Sequence, residues 1–140
     1  MLKTILVALD SSDLTQYVIQ SLNELQIVPA TKIVLAHVIS TSESDMEMVV
    51  DRPQTSEEPL YRRLEKQLQV YQKQLACESE LEIVMGDPAV EIVRLAHIYK
   101  TDLIVIGTRG LTGLKRILEG SVSSQVVAEA PCSVLVVKAD

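Results

Sequence analysis

Five short, almost uninterrupted apolar runs punctuate the 140 residues: ILVALD (Ile5 to Asp10), KIVLAHVI (Lys32 to Ile39), LEIVMG (Leu81 to Gly86), DLIVIG (Asp102 to Gly107) and SVLVVK (Ser133 to Lys138). A strand with one face in water alternates apolar and polar residues. A run without that alternation marks a strand covered on both faces, as in parallel sheets. Between the runs lie segments of helical period. Leu14, Val18, Leu22 and Leu25 recur at i, i+4, i+8 and i+11, and Leu60, Leu64, Leu68, Tyr71 and Leu75 continue one stripe through a second segment. A third helix is announced by GDPAVEIV, where Asp87 can cap free N–H groups, Pro88 fits the first helical position and Glu91 sits near the positive end of the dipole; it should run to about Tyr99. A fourth should start at Gly120 or Ser121 and carry Val122, Val126 and Val127 before APCS ends it. The order βαβαβαβαβ predicts an α/β fold over residues 1–140, a single doubly wound domain whose five-stranded parallel sheet has right-handed crossovers and helices on both faces.

Charge and composition narrow the function. The net charge of −6 and pI near 4.9 argue against a nucleic-acid-binding surface, which needs a basic patch to replace phosphate counterions. Four Tyr with neither Phe nor Trp leave little material for stacking bases or a flavin. The start MLKTILVALD lacks the cationic and long apolar regions of a secretory leader, and no window approaches a membrane span, so a cytoplasmic protein without a membrane partner is expected. Cys77 and Cys132 match no metal-ligand or redox spacing and read as buried reduced thiols.

Glycine is scarce, with five in the chain, yet four of them fall in GTRGLTGLKRILEGS, from Gly107 to Ser121. This stretch joins the carboxyl end of the fourth strand to the start of the fourth helix. Backbone N–H groups of a glycine-rich turn and a helix start point the same way there, and the helix dipole adds about half a positive charge. From Gly107 to Gly120, Arg109, Lys115 and Arg116 oppose only Glu119, a local charge of +2 (3 − 1) in an acidic chain. A phosphate suits such a place. The P-loop G-K-[ST] is absent, and the position is not that of a first-turn dinucleotide motif.

The spacing G-x2-G-x9-G-[ST], set by Gly107, Gly110, Gly120 and Ser121, resembles the nucleotide-binding signature of the universal stress protein family in its ATP-binding branch. The resemblance extends along the chain: ILVALDSS looks like the family's first strand and the acidic residue after it, LAHVI its second strand, GDPAVEIV its third helix start and DLIVIGTRG its fourth strand. The family implies strand order 3-2-1-4-5, ATP at the carboxyl ends of strands one and four, and usually a homodimer. By position, Ala8 and Asp10 line the adenosine site, Val38 and Ile106 bracket adenine, and Gly107, Gly110, Gly120, Ser121 and Val122 hold phosphates and ribose, with Ser123 contributing. Aliphatic walls suit adenine here, and the Asp10 carboxylate can accept from a ribose hydroxyl or the adenine amino group; its bland alternative is a helix cap.

His37 should point to the face opposite Val38 as a partly buried core residue, and His97 sits on the third helix; neither has a partner at metal-ligand spacing. A nucleophile–base pair is missing, so no catalytic residue is assigned. The reading is an ATP-binding regulatory or stress-response protein, with Mg²⁺ on the phosphates and a protein partner unidentified. Two alternatives remain: a slow ATP hydrolase or phosphoryl or adenylyl donor, and a dimeric interaction module that binds a cyclic nucleotide. The polar segment Ser40 to Glu58 leaves the ligand edge and is either a lid or disordered. The last run, Ser133 to Lys138, would be an edge strand rich in β-branched residues, so a homodimer through it is expected to cover that edge.

Overall fold

The computed structural model describes residues 2–9, 14–25, 27–39, 57–108 and 122–138. The elements run β1 (Thr4–Ala8), α1 (Leu14–Glu24), β2 (Lys32–Ile39), α2 (Glu57–Gln72), β3 (Ser79–Met85), α3 (Pro88–Ile98), β4 (Leu103–Thr108), α4 (residues 122–129) and β5 (Ser133–Lys138). The sheet has five strands in the order β3-β2-β1-β4-β5, and every adjacent pair is parallel, as the sequence and its family resemblance imply.

Each apolar run is continuous because its two sets of side chains enter different layers. Ile5, Val7 and Leu9 pack with Ile33, Leu35 and Val105 under Val18, Ile19 and Leu22 of α1 and Leu68 of α2. Leu6 and Ala8 pack on the other face with Val34, Ala36, Ile104 and Ile106 under Ala89, Ile92, Leu95 and Ala96 of α3 and Val126 of α4. Leu6, Val34 and Ile104 are fully buried, each worth about 1.5–3 kcal/mol of apolar burial.

The helices begin and end by local chemistry. Asp87 caps α3 by accepting from Val90 N–H at 3.1 Å, with Pro88 in the first turn. At the other end Lys100 adopts φ 52°, Lys100 N–H reaches the His97 carbonyl, and Thr101 N–H reaches that of Ala96. This is a Schellman closure with Lys in the left-handed position where Gly is usual. Val126 of α4 is fully buried while Val127 is 52% exposed. One expectation needs correction. The third strand starts two residues earlier than its apolar run, at Ser79, and ends at Met85, leaving Gly86 outside at φ 151°. The apolar pattern missed this start because the first two residues, Ser79 and Glu80, are polar, and Glu82 also lies on the strand.

Those two glutamates are accommodated by polar partners. Glu80 pairs with Lys32 Nζ at 2.7 Å, and that bond holds its carboxyl below the usual range. The Tyr99 hydroxyl, which has one hydrogen, is shared between Glu82 and Glu80, while Lys32 lies 5.3 Å from the Tyr99 ring centre. Burial and these carboxylates push the phenol far above its ordinary value. Asp102 accepts from Lys3 N–H at 2.8 Å and Thr4 N–H at 3.0 Å, and Thr31 Oγ1 donates to the Leu2 carbonyl at 2.9 Å. All of these lie at or near the amino ends of the strands. Both cysteines are free, and burial pushes the Cys77 and Cys132 thiols up.

Candidate functional site

In a parallel doubly wound sheet the crevice for a ligand opens at the carboxyl ends of the strands where the winding reverses, here between β1 and β4. Ala8, the last residue of β1, is the register partner of both Ala36 on β2 and Ile106 on β4. Ala8 and Ile106 are buried in the layer under α3 and α4, and Val38 and Val122 pack against the same layer. Four of the residues assigned from sequence are thus gathered on one face: Ala8 and Ile106 side by side, Val38 two positions beyond Ala36 on the same side of β2, and Val122 from the first turn of α4. The period of two along a strand does this, since residues 36 and 38 share a face. Gly107 follows Ile106 on β4 and pairs with Val137. Ser123 is half-buried next to Val122. Asp10, Gly110, Gly120 and Ser121 lie outside the described residues, as do Arg109, Lys115, Arg116 and most of the segment from Ser40 to Glu58.

Ala36 was not assigned from sequence, although it stands between Ala8 and Val38. Its signal was available: it is the residue two before Val38. Ala8 and Ala36 are small and buried, so this part of the site is aliphatic and, among the described residues, carries no charged group.

His37 has the expected facing and an unexpected partner. It is buried, 4% exposed, and its Nδ1 lies 3.0 Å from the Leu9 carbonyl. A carbonyl oxygen only accepts, so Nδ1 carries the hydrogen. Nε2 is buried and has no hydrogen-bond partner among the described residues. Leu9 N–H meanwhile donates to the Ala36 carbonyl at 2.8 Å, one step beyond the last paired residue of β1. Sequence period alone could place the imidazole on its face; the carbonyl it meets comes from a strand 28 residues away.

The universal stress protein family model matches residues 1–138. A universal stress protein of Methanocaldococcus jannaschii, MJ0531, is 58% identical over 57 residues, 41% of this chain and 34% of that one, so the match spans about a third of that relative's length. Among solved structures, the hypothetical protein MJ0577, whose structure served to assign a biochemical function, superposes with a TM-score of 0.83 at 29% identity, covering 100% of this chain and 98% of that one. A universal stress protein in complex with cAMP superposes with a TM-score of 0.70 at 25% identity, covering 98% of this chain and 97% of that one.

Proposed function

This chain belongs to the universal stress protein family, and from that premise we propose that it binds an adenine nucleotide, ATP in the first place, at the carboxyl ends of β1 and β4 and acts as a nucleotide-dependent regulatory protein of the stress response. The observation that carries the proposal is the juxtaposition of Ala8 and Ile106 with Val38 and Val122 in one aliphatic layer beside Gly107, where the sheet reverses its winding. Adenine would lie against that layer. Asp10 would take a ribose hydroxyl or the adenine amino group, and Gly110, Gly120 and Ser121, with Ser123 nearby, would hold phosphates and ribose through backbone N–H groups. The aliphatic donor-poor wall fits a base rather than a metal, so Mg²⁺ enters the proposal as the counter-ion of the triphosphate and not as a protein-held ion. The neighbour solved with cAMP favours a second reading in which the guest is a cyclic nucleotide.

Titration with Mg·ATP, cAMP and dAMP by calorimetry separates these. With four Tyr and no Trp the protein absorbs weakly at 280 nm, so nucleotide carried from the host should pull its spectrum toward 260 nm. Tighter binding of ATP supports the first reading and tighter binding of cAMP the second; absence of binding to all three refutes both.

A homodimer through β5 completes the proposal. Among the described residues β5 pairs only with β4 and ends the sheet, with Val134, Leu135 and Val136 half-buried. Val136 also packs against the α3/α4 layer, so replacing it would disturb the protomer as well as the edge. Native mass spectrometry of the unaltered protein at micromolar concentration is the cleaner test, and a monomer there refutes the dimer.

A further inference from the structure

We propose that His37 is a positioning residue for the nucleotide site, acting from the opposite face of the sheet by holding the Leu9 carbonyl and so the peptide that leads from β1 into Asp10. The proposal rests on the nucleotide reading above and adds to it a residue that does not touch the ligand.

Leu9 stands between two residues assigned to the adenosine, Ala8 before it and Asp10 after it. Both polar groups of Leu9 are tied to β2: its N–H to the Ala36 carbonyl at 2.8 Å and its C=O to His37 Nδ1 at 3.0 Å. The first bond continues the ladder, but the second is made by a side chain, at the point where β1 leaves the sheet. A peptide unit is planar, so a fixed Leu9 carbonyl constrains the direction in which the chain continues. Removing the donor would leave that carbonyl without its side-chain bond.

Packing alone does not account for a histidine here. At 4% exposure the ring is desolvated, yet among the described residues Nε2 has no partner, so half of its hydrogen-bonding capacity is unmet there. An apolar residue of similar size would avoid that cost. What histidine supplies, and leucine does not, is the single N–H aimed at Leu9. That bond also requires a hydrogen on Nδ1.

The test compares the full-length protein with His37→Leu, which removes the donor at similar volume, and His37→Asn, whose amide nitrogen can stand where Nδ1 stands. For each, affinity for Mg·ATP and cAMP is measured by calorimetry, and thermal midpoint is measured without ligand. His37→Leu is expected to weaken the nucleotide that wild type prefers by about tenfold, and His37→Asn to recover to within about threefold, whatever the order of their midpoints. Equal losses in the two variants would mark the residue as merely structural, and unchanged affinity in His37→Leu would overturn the proposal while the nucleotide reading stands. Failure of wild type to bind either nucleotide removes that reading, and the present proposal with it. Should His37→Leu not fold, ¹⁵N spectra of the wild-type imidazole decide: hydrogen on Nδ1, with a resonance that moves on adding nucleotide, supports the proposal, and hydrogen on Nε2 or an unmoved resonance overturns it.

Discussion

At the amino end of the sheet the described turns are fastened by polar side chains, whereas at the carboxyl end the corresponding positions are Ala8, Val38, Ile106 and Gly107. Asp102 gathers the Lys3 and Thr4 N–H groups, Thr31 holds the Leu2 carbonyl, and Lys32, Glu80, Glu82 and Tyr99 form a network beside them. Among the described residues of the carboxyl end, Ala8, Val38 and Ile106 are aliphatic, Asp87 caps α3, and a buried imidazole lies on the far face. Among the described residues, side-chain bonds to backbone thus cluster at the end where no ligand is proposed. Stabilising bonds at the carboxyl end would fill the space that a nucleotide needs. His37 meets this constraint by bonding Leu9 from behind the sheet.

The difference between the two ends can be broken experimentally, most strongly at the glycines. Gly110→Val and Gly120→Val are each expected to abolish measurable ATP binding in a calorimetric titration while the thermal midpoint without ligand stays close to wild type, because a side chain would stand where phosphate approaches backbone. A loss of stability as large as the loss of binding would mean that these glycines serve the fold. Gly86 is the control at the same end of the sheet. Its φ of 151° is rarely open to other residues, and a Cβ there would lie 3.0 Å from Glu91 Cγ. Gly86→Ala should therefore destabilise by about 1–3 kcal/mol in urea unfolding, with nucleotide affinity of the folded protein retained.

Smaller effects belong to the amino end. Lys100→Gly relieves a left-handed Lys at φ 52° and should stabilise by about 0.5–1 kcal/mol, with no change in affinity. A drop in the thermal midpoint would show that the Lys side chain contributes more than its backbone costs. The smallest effect concerns Asp102, whose carboxyl is held below the usual range chiefly by the Thr4 and Lys3 N–H groups. A depressed folded-state value means that the carboxylate stabilises the fold above its unfolded value, about 3.9, and loses that contribution as pH falls through the lower folded value. Asp102→Asn should then lower the midpoint at pH 7, and the gap to wild type should close as the pH drops below about 4. A gap independent of pH would assign the effect to something other than ionisation.

Much of this was legible in order. Continuous apolar runs specify strands covered on both faces, and the helical stripes of Val18 and Leu22 or Leu64 and Leu68 specify which sides of the helices are buried. Asp87 and Pro88 marked the start of α3 because capping is a matter of neighbours in sequence. The i, i+4 pair Val122 and Val126 turns toward the α3/α4 layer, while Val127, next in sequence, is 52% exposed. The early start of β3 was missed because Ser79 and Glu80 look like turn residues until Lys32 and Tyr99 are seen beside Glu80.

The sequence by itself determined the strand and helix order, the face on which Val38 and His37 would lie, and the concentration of glycine after the fourth strand, since each depends on periodicity or on the conformational freedom of single residues. Only the tertiary structure decided that Ala8 stands between Ala36 and Ile106, that Tyr99 meets two glutamates, and that the His37 imidazole takes the Leu9 carbonyl. Those contacts join residues from different strands and helices, and their partners are fixed by sheet register and by the packing of one element on another, which no local pattern in the chain encodes.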